Sequence, residues 1–312
     1  MPRRFVTTLL AAVVIAAVTS CGGDDGDDVR TEGSTSQSGS GNGSGSGSGS
    51  GSGLSEEDNT GTSDDPDILA GVAAYREYVL GEVTALQADT TAFTDAVRGG
   101  DLATAQGLYA PSRVSWERIE PIAGLIEDID VAVDARVDDF GDETNPEFTG
   151  WHKLEWFLFE RQTTGGRAAE YADQLDADIA DLAAQIPQLE IAPSAVAIGA
   201  QELVEEVSRG KITGEEDRYS HTDLWDFAAN IEGAQAVIDS LEVALEKFDA
   251  DLLAEVRAGI DEVFAGLEPH TLPDGGYVSY LELTEDDKAV LQASLAELSE
   301  NLAEVPAALE LS

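Results

Sequence analysis

After residue 67 apolar residues recur at helical spacing along most of the chain. Ile68, Val72, Tyr75, Val79, Val83, Leu86, Phe93 and Val97 fall on one face of a long helix. Gly99-Gly100 stops that helix and Asp101 is placed to cap the next. A second stripe runs through Leu224, Phe227, Ile231, Val237-Ile238, Leu241, Leu245 and Phe248. A third runs through Leu291, Leu295, Leu298, Leu302, Val305 and Leu309, with acids opposite. Stripes of this kind are core faces. No β-branched alternation bounded by turns is present, so strands are not expected. Breaks at Gly99-Gly100, Gly141–Pro146, Thr163–Gly166, Pro187–Pro193, Gly210–Gly214 and Pro269–Gly276 divide the region into about seven to nine helices. About 245 residues exceed what one four-helix bundle uses. The expected fold is therefore all-α, two side-by-side antiparallel four-helix bundles.

The residues before this region have a different pattern. Arg3 and Arg4 precede an apolar run from Phe5 to Val18, too short to span a bilayer comfortably, which reads as a secretory signal peptide over residues 1–20. The run ends in Val18-Thr19-Ser20-Cys21, resembling a bacterial lipobox, and predicts lipidation of Cys21, the chain's single cysteine. Export by the Sec or the twin-arginine route is open. Residues 21–66 are Asp-, Gly- and Ser-rich and read as a flexible linker with a root-mean-square span of roughly 35–40 Å. The folded domain is expected over residues 67–312, outside the cytoplasm and tethered to a membrane by its lipid.

Charge narrows the partners. The chain of 312 residues carries 62 Asp and Glu against 17 Lys and Arg, a formal net charge of −45. Nucleic acid is excluded as a partner, because phosphate binding needs clustered cations. Cationic ligands are attracted, metal ions first. A solvated acidic surface suited to a saline habitat is a compatible reading. With one cysteine there is no intrachain disulfide, and zinc-finger, iron–sulfur and thiol chemistry are excluded from the folded domain.

Only His152, His221 and His270 could supply imidazole. His152 and Glu155 are three apart in an apolar helical stretch and share one face, half of a metal site, or else a structural histidine beside an ion-pairing glutamate. Glu117 and Glu120 share a face in Trp116-Glu117-Arg118-Ile119-Glu120-Pro121, where Pro121 predicts a kink. Asp134 and Asp138 form a third pair. The alternative for these acids is pairing with Arg113, Arg118 or Arg136. The polar run Gly214–Asp226 precedes a strong amphipathic helix, with Thr222 or Asp223 as its N-cap. Within that run His221 is either a further ligand or a hydrogen-bond partner of a neighbouring carboxylate; His270 falls in a loop. The zincin pattern H-E-x-x-H is absent, as are G-x-S-x-G and the glycine-rich nucleotide loops.

Four segments carry a family resemblance: LYAPSRVSWERIEPIA (108–123), DARVDDF (134–140), FTGWHKLEWFLF (148–159) and KITGEEDRYSHTDLWDFAANIEGAQ (211–235). In this order they resemble the imelysin-like domain of the EfeO/EfeM iron-uptake proteins. The resemblance implies two four-helix bundles and an iron-binding component of an EfeUOB-type system. Its cargo is Fe(III) or Fe(II), with other divalent cations possible. Its implied partners are an EfeU-type permease and an EfeB-type dye-decolourising haem peroxidase. No cupredoxin domain precedes the helical region, which fits the shorter EfeM form. The family's metal motif maps onto His152 and Glu155, and Glu117, Glu120 and Asp134 are added to the same site. A non-enzymatic role follows. The alternatives are an imelysin-like metallopeptidase and a cation-dependent acidic-polysaccharide-binding protein.

Overall fold

The computed structural model describes residues 54–273 and 275–311; the signal segment, Cys21 and most of the linker lie outside the described residues. The described chain is all-α, with eleven α-helical segments, and no strand beyond an isolated bridge between Thr271 and Tyr277. The helices are α1 (Pro66–Gly99), α2 (Leu102–Ile119), α3 (Glu127–Asp134), α4 (Val137–Phe140), α5 (Gly150–Glu155), α6 (Ala168–Gln185), α7 (Pro193–Arg209), α8 (Asp223–Phe248), α9 (Ala250–Leu267), α10 (Glu285–Ala303) and α11 (Val305–Ala308). Nine exceed four residues, at the upper end of the expected number. None is long and apolar enough to cross a membrane.

Local chemistry sets the ends. Asp65 caps α1 by accepting from the amides of Asp67 and Ile68, and Gly100 closes it in the left-handed conformation. Asp101 caps α2 through the Thr104 amide. A single residue, Asp249, separates α8 from α9 and caps the latter through the Leu252 amide. Turns this short force neighbouring helices to run antiparallel.

The helices pack as two bundles. α7, α8, α9 and α10 form a closed ring in which each touches the next and α10 returns to α7. In the other bundle α1, α2 and α6 are long, but the fourth position is filled by the short α5, with α3 packed against α5 and α6. α1 and α2 lie against α8, so α2 and α8 face each other where the bundles meet. The stripes read from sequence are the core: Tyr75, Val79, Leu86, Phe93, Leu224, Leu241, Leu295 and Leu298 are all buried. Burying each such side chain is worth about 1.5–3 kcal/mol.

Three local features differ from the sequence expectation. α2 ends at Ile119, and Glu120–Ile126 continues as a 3-10 helix, so Pro121 ends the helix rather than kinking it. α3 stops at Asp134 because Ala135 is extended, which puts Asp138 on a separate helix and not on the face of Asp134. Residues 54–65, read as the end of the linker, are packed against the start of α7: Leu54 is buried, Asn59 bridges Glu190 and Ala192, and the Gly61 amide donates to Ser194.

Candidate metal centre

His152 sits on α5, and its entry into that helix depends on one glycine. Gly150 has φ 73°, and a Cβ there would lie 2.0 Å from the Val133 carbonyl oxygen. Only a residue without a side chain lets α5 start this close to the end of α3, which brings Asp134 to the His152 ring. Past Glu155 the helix widens into a π-helical turn over Trp156–Glu160, with the Arg161 amide donating to the Trp156 carbonyl at 2.9 Å. Such turns interrupt regular helix geometry and often mark functional sites.

Carboxylates lie against both nitrogens of the buried His152 ring. Beside Nδ1 are Glu155 Oε2 at 3.2 Å, the Tyr109 hydroxyl at 3.3 Å and Asp217 Oδ1 at 3.9 Å. Beside Nε2 are Asp134 Oδ1 at 3.6 Å and Glu216 Oε1 at 3.8 Å. Neither Nε2 nor that Glu216 oxygen has a hydrogen-bond partner among the described residues. Glu155 is held rigidly: its Oε1 accepts from the Tyr219 amide (2.8 Å), the Ser220 amide (2.7 Å) and the Ser220 hydroxyl (2.9 Å). Asp217 accepts from the Tyr109 hydroxyl at 2.8 Å and from the Thr222 hydroxyl. The loop between α7 and α8 thus supplies two acids and locks a third.

Glu117 and Glu120, placed with His152 in the sequence reading, have other partners. Lys211 Nζ lies 3.0 Å from Glu117 and 2.8 Å from Glu120, and Asn230 Nδ2 donates to the same carboxylates at 2.9 and 2.6 Å. Arg113, wholly buried, pairs with Glu117 and Asp134 and reaches Asp226 at 3.2 Å. The Arg113 pairing considered as an alternative is therefore present for Glu117. The guanidinium stands between the Glu117–Glu120 pair and the His152 cluster. The physical reason is topology. Glu117 and Glu120 end α2 facing α8 and the Lys211 turn, whereas the His152 cluster is built from α3, α5 and the loop after Lys211.

Electrostatics distinguish the two sides of the ring. Asp134 and Glu216 already face cations: Arg113 on the former, with Arg113 at 3.7 Å, Lys211 at 3.8 Å and Arg136 at 3.2 Å from the latter. Glu155 and Asp217 accept from neutral donors and lie beside the His152 ring, and Asp217 also meets the Asp226 carboxyl; among the described residues no arginine or lysine forms an ion pair with either. Burial would raise Asp134 and Glu216, but Arg113 holds the first below the usual carboxylate range, and Lys211, His152 and Arg136 hold the second well below it. Burial and Arg113 oppose protonation of His152. The Glu155, Glu216 and Asp134 carboxylates outweigh them, raising it to about 9. At other acids burial outweighs what nearby cations offset: it lifts Asp130 to about 8 and Glu206, despite Lys211 and Arg136, to about 7, and Asp223 to about 7.

Three sequence candidates, Asp134, His152 and Glu155, thus converge. Sequence reasoning missed Glu216, Asp217, Tyr109 and Lys211. Glu216 and Asp217 lie in the polar run before α8, where His221 is the residue type that stands out as a ligand. His221 instead has a φ of 58° and is part-exposed, and it is absent from the donor groups that could share one ion: Asp134, His152 and Glu216 on one side, His152, Glu155 and Asp217 on the other. A small pocket lined by Arg136, Glu215, Arg218 and Tyr219 reaches His152 and Glu155 and has room for about one water.

Oxygen donors and an imidazole projecting inward from a helical bundle are the means by which all-α proteins hold hard cations between their helices. The chain belongs to the imelysin family, peptidase M75, whose profile matches residues 71–305. Over 241 residues, 77% of this chain, it is 47% identical to the iron uptake system component EfeO of Escherichia coli O157:H7. It is 46% identical to the proteins of that name from E. coli K12 and Shigella flexneri. The chain spans 64% of the length of these relatives.

Proposed function

We propose that this protein is the iron-binding component of an extracytoplasmic uptake system, anchored through a lipidated Cys21, which captures iron and hands it to a membrane permease without catalysis. An EfeU-type permease and an EfeB-type haem peroxidase are the partners this reading implies. The observation that carries it is the buried His152 ring set among four carboxylates, of which Glu155 and Asp217, on its Nδ1 side, have no arginine or lysine partner among the described residues. A metal cation would take the place of the proton that His152 holds there. On the Nε2 side it would face Arg113 and Lys211. Those two cations already pair with Glu216, at 3.7 and 3.8 Å, and like charges repel. Iron therefore belongs at Nδ1, with Glu155 and Asp217 as oxygen ligands. Asp134 and Glu216 then accept the Nε2 proton and fix the ring. The likeness to the EfeO iron uptake components, 46–47% identical over 241 residues, supports iron as the cargo. Peptide hydrolysis is disfavoured because the pocket has no room for a polypeptide.

Titrating Fe(II) and Fe(III) into the purified protein and into the His152→Ala/Glu155→Ala double variant tests the site. Binding by the parent and loss of at least about tenfold in the variant is the expected result. Equal binding by both would remove this assignment.

A further inference from the structure

Tyr109 is wholly buried, yet its hydroxyl points into the cluster instead of to solvent or a main-chain carbonyl. Its oxygen is 3.3 Å from His152 Nδ1 and 2.8 Å from Asp217 Oδ1, while Glu155 Oε2 is 3.2 Å from the same nitrogen. Donors held about 2.0–2.2 Å from one small ion are separated from one another by about 3.0–3.4 Å. Those three separations fall at or near that range, and Asp217 Oδ1, at 3.9 Å from Nδ1, needs only a small inward shift. The ring is well fixed for such a role. Phe93 and Phe159 pack edge-on against it at 6.0 and 5.6 Å, and the Arg113 guanidinium lies 6.0 Å from its centre. Pro111, inside α2, removes a backbone donor one half-turn further on.

We propose that the phenol oxygen of Tyr109 is the fourth protein ligand at the Nδ1 side of His152, and that it makes the site selective for ferric over ferrous iron. This rests on the iron reading above. On binding, Fe–N and Fe–O bonds form, the Nδ1–H of the His152 imidazolium and the phenol O–H break heterolytically, and both protons leave to water, so no electron changes hands. A phenolate is a hard, fully charged donor. Its attraction to a trivalent ion exceeds that to a divalent ion of the same radius by half again, while His152 favours both. Glu155, Asp217 and the phenolate together supply three negative charges, which neutralise Fe(III) and overcompensate Fe(II).

The test is optical. Full-length protein loaded with Fe(III) should show a visible phenolate-to-iron charge-transfer band, with tyrosinate modes in resonance Raman excited within it. Tyr109→Phe keeps the ring and its packing. It should remain able to bind iron by elemental analysis, lose the band, and bind Fe(III) at least about tenfold more weakly, with a smaller change for Mn(II) as the divalent probe. Iron bound by the parent without a band, or a band that survives in Tyr109→Phe, overturns the Tyr109 assignment and leaves the His152 site standing. No iron bound by the parent removes both. The Raman measurement on the parent decides the matter even if the variant fails to fold.

Discussion

At the scale of single residues, the cluster is a set of ionisable groups whose proton affinities are displaced by burial. His152 is raised to about 9, Asp130 to about 8, Glu206 and Asp223 to about 7. Each folded value lies above the ordinary one, so each group binds protons more tightly folded than unfolded. The stability this contributes is complete in acid, below the unfolded values, and is lost as pH rises through the folded ones. Asp134 and Glu216 are shifted down, and their contribution is lost only in stronger acid. Metal-free protein should therefore melt at a higher temperature at about pH 5.5 than at about pH 8.5. Added iron should narrow or reverse the difference, because the cation replaces the departing protons. A metal-free melting temperature that climbs toward pH 8.5 would contradict these shifts. The residue types and the three-residue spacing of His152 and Glu155 were readable in the chain. Among 62 acids, however, the burial of Glu216 and Asp217 left no mark distinguishing them from solvated neighbours. The capture of Glu117 and Glu120 by Lys211, far downstream, depends on a contact that no local pattern encodes.

At the scale of elements, the long rods follow from their stripes, whereas the broken fourth rod does not. α3 and α5 are too short for a periodicity to emerge, and the break at Ala135 falls in a stretch whose residues would also suit a continuous helix. What fixes their junction is backbone contact, and Gly150 is the place to probe it. Gly150→Ala combines a strained positive φ with a Cβ inside contact distance of Val133. Gly141→Ala has a φ of 88° and nothing within 4 Å. The second should cost about 1 kcal/mol by urea unfolding, and the first about 2–3 kcal/mol more, since α3 and α5 must separate. Iron affinity should fall only in Gly150→Ala, because only there does His152 move relative to Asp134. Equal effects at both glycines would show that the close approach does not matter.

For the whole molecule, charge outweighs any single contact. A net charge of −45 makes compaction work against self-repulsion, and the few exposed cations, such as Arg98 with Asp95 and Asp176, offset little of it. Raising sodium chloride from about 0.02 to 0.5 M shortens the screening length several-fold. It should stabilise the metal-free protein by several degrees in melting temperature; a protein indifferent to salt would place the repulsion in the unfolded chain equally. Net charge and the double-bundle class were both visible in the sequence, since they are sums over many residues and survive local errors. The clamp formed by residues 54–61 was not, because it consists of a few polar contacts to Glu190, Ala192 and Ser194.

That clamp has a mechanical consequence. It grips the N-terminal end of α7, while the loop carrying Glu216 and Asp217 leaves the C-terminal end, after 17 residues of helix. A rod of that length holds the two ends about 25 Å apart. A pull applied at Leu54 would be borne at the N-terminal end of α7, one helix length from the acid-bearing loop.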